Sequence, residues 1–174
     1  MSGSTDASRN GMTTVLVGVV PHQSDTVLLR AADVASALGA ELICACVDRS
    51  RYPVGENADG STEALPFDPD LPELTGEEFD PGIQRHIEEV LRGNPVRWSV
   101  RAVAGEPVRA LAHLADTLDA EMIVVGTRDG ARSSIQEFFG GSIAVHLAHR
   151  QKRPVLVVPV SPTPRGEKLP WEND

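Results

Sequence analysis

The residues best placed to do chemistry surround one glycine-rich stretch. It reads Val124-Val125-Gly126-Thr127-Arg128-Asp129-Gly130, and farther on Gly140-Gly141-Ser142 opens a new periodic segment. A β-branched run ending in glycine, a loop, and Gly-Gly-Ser ahead of a helix together form a candidate anion cradle. Glycines let the backbone approach a phosphate and take positive φ, while the first free N–H groups of a helix point at the charge. The Ser142 hydroxyl can donate to a phosphate oxygen, and Arg128 and Arg132 can add charge-assisted bonds. The same residues also suit a plainer role, in which the glycines turn the chain and Ser142 caps its helix. The familiar phosphate signatures do not occur. There is no Gly-x4-Gly-Lys-Ser/Thr, and no Gly-x-Gly-x-x-Gly after the first strand.

Other reactive side chains carry less. Cys44 and Cys46 stand two apart in an apolar run, so both face one way, with α-carbons about 6.6 Å apart by strand rise. That separation is poor for a disulfide, and the pair is expected to be packed core thiols. His146 and His149 lie one helical turn apart, without an evident third ligand for a metal. Arg150, Lys152 and Arg153 read as a solvated helix end. No Ser-His-Asp or Cys-His ordering sits in a motif context, so no catalytic residue and no enzymatic activity is expected.

The elements that must hold the glycine stretch alternate in type. Thr14 to Val20 and Leu42 to Val47 are short β-branched runs, the composition of strands buried on both faces. Between them Ser24 or Asp25 caps a helix with Val27, Leu28, Ala31, Val34, Ala35 and Leu38 inward, ended by Gly39. Pro81 to Leu91 reads as a second helix, and Val96 to Ala104 as a half-buried edge strand. Gly105-Glu106-Pro107 opens a third helix. Met122 to Val125 is a strand ending at Gly126, Ser142 to His149 a helix, and Val155 to Val158 a last strand closed by Pro159. Five strands and four helices in β-α alternation predict one three-layer α/β domain, a parallel sheet with helices on both faces. Ligands of such sheets bind beyond the carboxyl ends of the strands, where strand order reverses.

Composition bounds the rest. The chain has 174 residues, 41% hydrophobic and 24% charged, with a formal net charge of −9. That balance excludes a coat for nucleic acid or an anionic membrane, and no apolar run approaches the roughly 20 residues of a membrane span. Residues 1–12 are expected to be a flexible tail without the apolar core of a signal peptide, and 161–174 a second tail. Two cysteines and no export signal give a cytoplasmic expectation. Nine acids against Arg49 and Arg51 concentrate the negative charge in residues 49–82. With prolines 53, 66, 69, 72 and 81 and no sustained periodicity, this segment is expected to be a long acidic surface loop inserted into the domain.

Ile123 to Pro159 resembles the C-terminal half of the universal stress protein family: Ile-Val-Val-Gly, a glycine-rich loop, Gly-Ser at a helix start, and Pro-Val-Leu-Val-Val-Pro. Val15 to Gly18, Leu38-Gly-Ala-Glu-Leu42, Gly105-Glu-Pro and Asp119 to Gly126 resemble its other segments, so the likeness spans most of 13–160 outside the acidic insertion. The resemblance implies a Rossmann-like sheet ordered 3-2-1-4-5 and a homodimer, often formed through the last strand. It further implies an adenine nucleotide, ATP or AMP with Mg, cradled by Gly126, Thr127, Arg128, Gly130, Gly141 and Ser142, with Val47 at the base. Nucleotide-binding members carry Gly-x2-Gly-x9-Gly-Ser/Thr. Here both spacers run one residue longer when Ser142 is the anchor, and Asp129 takes the strict second-glycine position. Val20 stands where those members place an aspartate at the end of strand one; His22 or Gln23 could supply polar contacts there, and no motif assigns them that role. The function expected first is a cytosolic stress-response module that binds an adenine nucleotide; the alternative is a nucleotide-free dimeric interaction protein of the same fold, and a slow ATP hydrolase ranks last. The last has no identifiable general base.

Overall fold

A computed structural model describes residues 12–68, 79–127 and 142–160. Five parallel strands form the main sheet: β1 (Thr14–Val19), β2 (Glu41–Asp48), β5 (Trp98–Ala104), β6 (Met122–Gly126) and β7 (Val155–Val158). Their order is β5-β2-β1-β6-β7. Counted along the chain as main-sheet strands, that is 3-2-1-4-5, as the resemblance implies. β1 is central, with Leu16 opposite Ile43 on one side and Ile123 on the other.

The period-two alternation of β1 splits the core into two layers. Val15, Val17 and Val19 face α1 (Asp25–Ala37) and α2 (Pro81–Val90), where Ala31, Ala35 and Ile87 meet Leu42 and Cys44. Leu16 faces α3 (Pro107–Thr117) and α4 (Ser142–Arg150), among Ile43, Ile123, Leu111, Leu114 and Leu147. Cys44 and Cys46 are free thiols on the first of these layers. Burial pushes the Cys44 thiol up to about 12.

Local chemistry sets the helix ends. Ser24 Oγ accepts from the Thr26 N–H, and Gly39, at φ +63°, ends the turn after α1. Asp80 Oδ1 accepts from the Ile83 N–H at 2.8 Å, directly before Pro81. The Glu106 carboxylate takes the N–H groups of Val108 and Arg109, each at 3.0 Å, with Pro107 in the first turn. Arg153 departs from the expected solvated helix end. It pairs with Asp116 in the last turn of α3 and with Asp119 just beyond, and donates to the Ala120 carbonyl, fastening the start of β7 to the end of α3. No helix among the described residues is long and apolar enough to cross a membrane.

The acidic segment is not the featureless loop expected over 49–82. Residues Arg51–Glu56 (β3) and Thr62–Pro66 (β4) form an antiparallel hairpin, with an irregularity between Pro53 and Gly55. Its tip is an Asx-type turn in which Asp59 Oδ1 accepts from Ser61 N–H at 3.0 Å and Ser61 Oγ at 2.6 Å. Side-chain bonds fasten it to the domain. Thr62 Oγ1 accepts from the Ala104 N–H at 2.7 Å, and Arg101 Nε donates to the Asp59 carbonyl at 2.7 Å. Glu56 meets His113 Nε2 at 2.7 Å and Thr117 Oγ1 at 2.9 Å on α3. Residues 69–78 of the expected loop lie outside the described part.

These attachments make the hairpin sensitive to acid. The His113 and Thr117 hydrogen bonds hold the Glu56 carboxyl below its ordinary value of 4.5, and the Ser61 bonds hold that of Asp59 below 3.8. A depressed carboxylate stabilises the folded form above its unfolded pKa, and the contribution is lost as pH falls through the folded value. Hydrogen exchange at β3 and β4 amides is therefore expected to accelerate ahead of the main sheet on acidification below 4.5. Glu56→Gln should advance that loosening to neutral pH. Hairpin and sheet amides responding together would contradict the attachment.

Candidate functional site

At the carboxyl ends of the main-sheet strands the chain encloses a cleft of about 1080 Å³. Its floor is the ends of β1, β2 and β6, where Val19, Cys46, Val47, Gly126 and Thr127 meet. The turn after β1 forms one side, Ile143 and Ala144 of α4 another, and Thr62 and Ala64 of the hairpin a third. The floor is largely apolar, which suits a planar ring, and Asp48, Asp80, Arg49, Arg51 and His22 put charge and polarity at the rim. Burial first, then the Asp80 and Asp48 carboxylates, raise the Cys46 thiol to about 11. It is therefore a neutral wall group and not a nucleophile.

The site residues expected from sequence are distributed as follows. Val47, Gly126 and Thr127 line the cleft together. The Thr127 N–H donates to Val158 O at 2.8 Å, and its hydroxyl oxygen accepts from Val160 N–H at 3.0 Å, leaving the hydroxyl proton to give. Ser142 is the first residue of α4. Arg128, Gly130 and Gly141 lie outside the described residues, as do Asp129 and Arg132.

In the turn between β1 and α1 the structure separates the roles of His22 and Gln23, which the sequence offers only as alternative sources of polar contacts. Val20 is 42% exposed at the strand end. His22 adopts φ +59°, a left-handed conformation uncommon outside glycine, in which asparagine, aspartate and histidine are the enriched exceptions. The next residue, Gln23, folds back and donates from Nε2 to the Gly18 carbonyl at 3.2 Å. That carbonyl needs a donor, so it fixes which end of the amide is which. The other end, Oε1, is buried and has no donor among the described residues. An unsatisfied buried acceptor costs about 1–3 kcal/mol. Gly126 makes room for this arrangement. A Cβ built there would stand 2.8 Å from Val27 Cγ2 and 3.4 Å from Gln23 Nε2.

The profile of the universal stress protein family matches residues 12–159. The chain belongs to the universal stress protein family. Among solved structures, it is similar to a universal stress protein in complex with cAMP, at 26% identity and a TM-score of 0.55, covering 87% of this chain and 99% of that one. A universal stress protein from Archaeoglobus fulgidus in complex with dAMP matches at 18% identity and TM-score 0.52, covering 84% and 97%. A family protein from Burkholderia pseudomallei matches at 18% and 0.53, covering 85% and 96%. The last two likenesses speak to the fold alone. No curated protein matches the chain in sequence.

Within this universal stress protein, then, the cleft sits at the switch point of a 3-2-1-4-5 sheet, between strands β1 and β6. The hairpin wall has no signature in the periodicity. The amide of Gln23 belongs to no motif either, and only its position behind a strand end and before a helix cap marked it.

Proposed function

We propose that this universal stress protein binds an adenine nucleotide, ATP or AMP, in the cleft at the carboxyl ends of β1, β2 and β6. The observation that carries this reading is the joining of an apolar floor, a glycine at Gly126 packed too closely for any side chain, and the start of α4 in one cleft at the switch point. Val47 takes the base. Gly126, Thr127, Arg128, Gly130, Gly141 and Ser142 hold the sugar and phosphates, and magnesium screens Asp129 from the phosphates. The likeness to a universal stress protein in complex with cAMP supports the ligand class. The protein acts as a cytoplasmic stress-response binding module and not as an enzyme.

A homodimer goes with this reading. Among the described residues β7 ends the sheet and its Leu156 and Val157 are exposed, so a second copy pairing there would cover the edge that these residues leave open. The rival reading, a nucleotide-free dimeric interaction protein, is favoured by one observation, the exposed apolar Val20 where the family's nucleotide binders carry an aspartate.

Titration calorimetry with ATP and with AMP, with and without magnesium, separates the two. Micromolar binding is expected, with ATP gaining more from magnesium than AMP. Absence of heat, in protein free of copurified nucleotide, would support the rival.

A further inference from the structure

Four observations converge on the turn after β1. Gln23 projects its amide over the end of β1 beside Gly126, at the point in the sheet where strand order reverses. Its Nε2 is committed to the Gly18 carbonyl, which leaves Oε1 as an acceptor of fixed direction. That acceptor is buried in the wall of the cleft without a donor among the described residues. The residue that turns the chain to place it, His22, holds a left-handed backbone conformation. An unsatisfied buried acceptor behind a left-handed turn is an arrangement that a folded chain keeps when something else completes it.

We infer that Gln23 is a specificity-determining residue of the cleft, whose Oε1 accepts a hydrogen bond from a neutral donor on the bound nucleotide. The inference rests on the nucleotide reading above. The donor is an O–H or N–H of the nucleoside, and a nucleoside monophosphate offers two sources: a ribose hydroxyl and the exocyclic amine of adenine. Phosphate oxygens, being acceptors, are excluded as the partner. So is the six-position carbonyl of an oxopurine, which would oppose one acceptor with another. The amide therefore selects by chemistry that neither the apolar floor nor the backbone cradle can read. A site built to bond a polar group rejects an analogue lacking it much more strongly than an apolar pocket rejects a change of size.

The test is a cycle between residue and ligand. Affinities of AMP, 2′-deoxyAMP, 3′-deoxyAMP and IMP are measured by calorimetry for the wild-type protein and for Gln23→Leu. For wild type, the analogue that lacks the bonded donor is expected to bind about tenfold more weakly than AMP. For Gln23→Leu that penalty should shrink to less than twofold, while AMP itself weakens. A penalty that vanishes for a deoxy analogue assigns the sugar, and one that vanishes for IMP assigns the base amine. Either outcome supports the inference. Equal penalties in both proteins for every analogue would overturn it and leave the nucleotide site standing. Wild-type protein that fails to bind AMP at all would overturn the site and this inference together. Because the comparison is made between ligands on one protein, a modest loss of stability in the variant cancels. If Gln23→Leu does not fold, Gln23→Met, which keeps the length and removes both amide groups, is read in its place.

Discussion

Gly126→Val is expected to lower both stability and nucleotide affinity, because one atom position serves both. The Cβ would fall 2.8 Å from Cγ2 of Val27, a fully buried, β-branched residue at the first turn of α1. Val27 has little rotameric freedom in a helix, so relief must come from the helix moving off β6. Overpacking of this kind costs about 2 kcal/mol, or roughly 4–8 °C in Tm for a domain of this size. The same displacement carries Gln23 away from Gly18 and fills the cleft floor, so AMP affinity should fall by ~10-fold or more. Gly39→Ala is the control. It has open space around it but needs φ +63°, so it should lose about 1 kcal/mol of stability and no affinity. A Gly126→Val protein that retains full affinity would show that this glycine only turns the chain.

Leu16→Ala is expected to produce the largest loss of stability among single truncations considered. Leu16 lies on the central strand with no exposed surface and is packed from α3 and α4 and from the neighbouring strands. Truncating a fully buried leucine costs about 2–5 kcal/mol, and the centre of a sheet covered on both faces has little room to collapse. A loss near 3–4 kcal/mol would lower Tm by roughly 6–16 °C. Val157→Ala provides the contrast, since Val157 is 40% exposed on the edge strand. It should change monomer stability by less than about 1 kcal/mol, and weaken self-association if β7 is the dimer seam. Equal losses at the two positions would mean that β7 is buried in the folded protein.

The elements of the main sheet could be read from sequence because their periodicity is simple. Thr14 to Val20 and Met122 to Val125 are β-branched runs bounded by turn residues, and Ser24, Gly39 and Pro107 mark helix ends by their own chemistry. The strand order could not be read that way, since no local pattern encodes which parallel strand lies beside which. It came from the resemblance to the family. The hairpin escaped because Pro53, Gly55 and Pro66 interrupt the alternation, and its stability comes from distant partners such as Ala104, Arg101 and His113. Arg153 was misread for the same reason: its three partners lie more than thirty residues away in the chain. In the cleft, Gly126 and Thr127 stood out as part of the glycine-rich stretch, and Val47 was implied by the resemblance to the family. Gln23 was offered only as an alternative to His22 for polar contacts, because an amide between a strand and a helix cap becomes informative only when its two ends are seen to be unequal.

The most direct measurement is a nitrogen-15 NMR titration of the labelled protein with AMP, read at backbone and glutamine side-chain amides. The largest shifts are expected at Val47, Gly126, Thr127 and Ser142 and at the Gln23 side-chain amide, with the outer faces of α1 and α2 unmoved. Shifts confined to the hairpin tip and α2, or none at saturating AMP, would contradict nucleotide binding in this cleft.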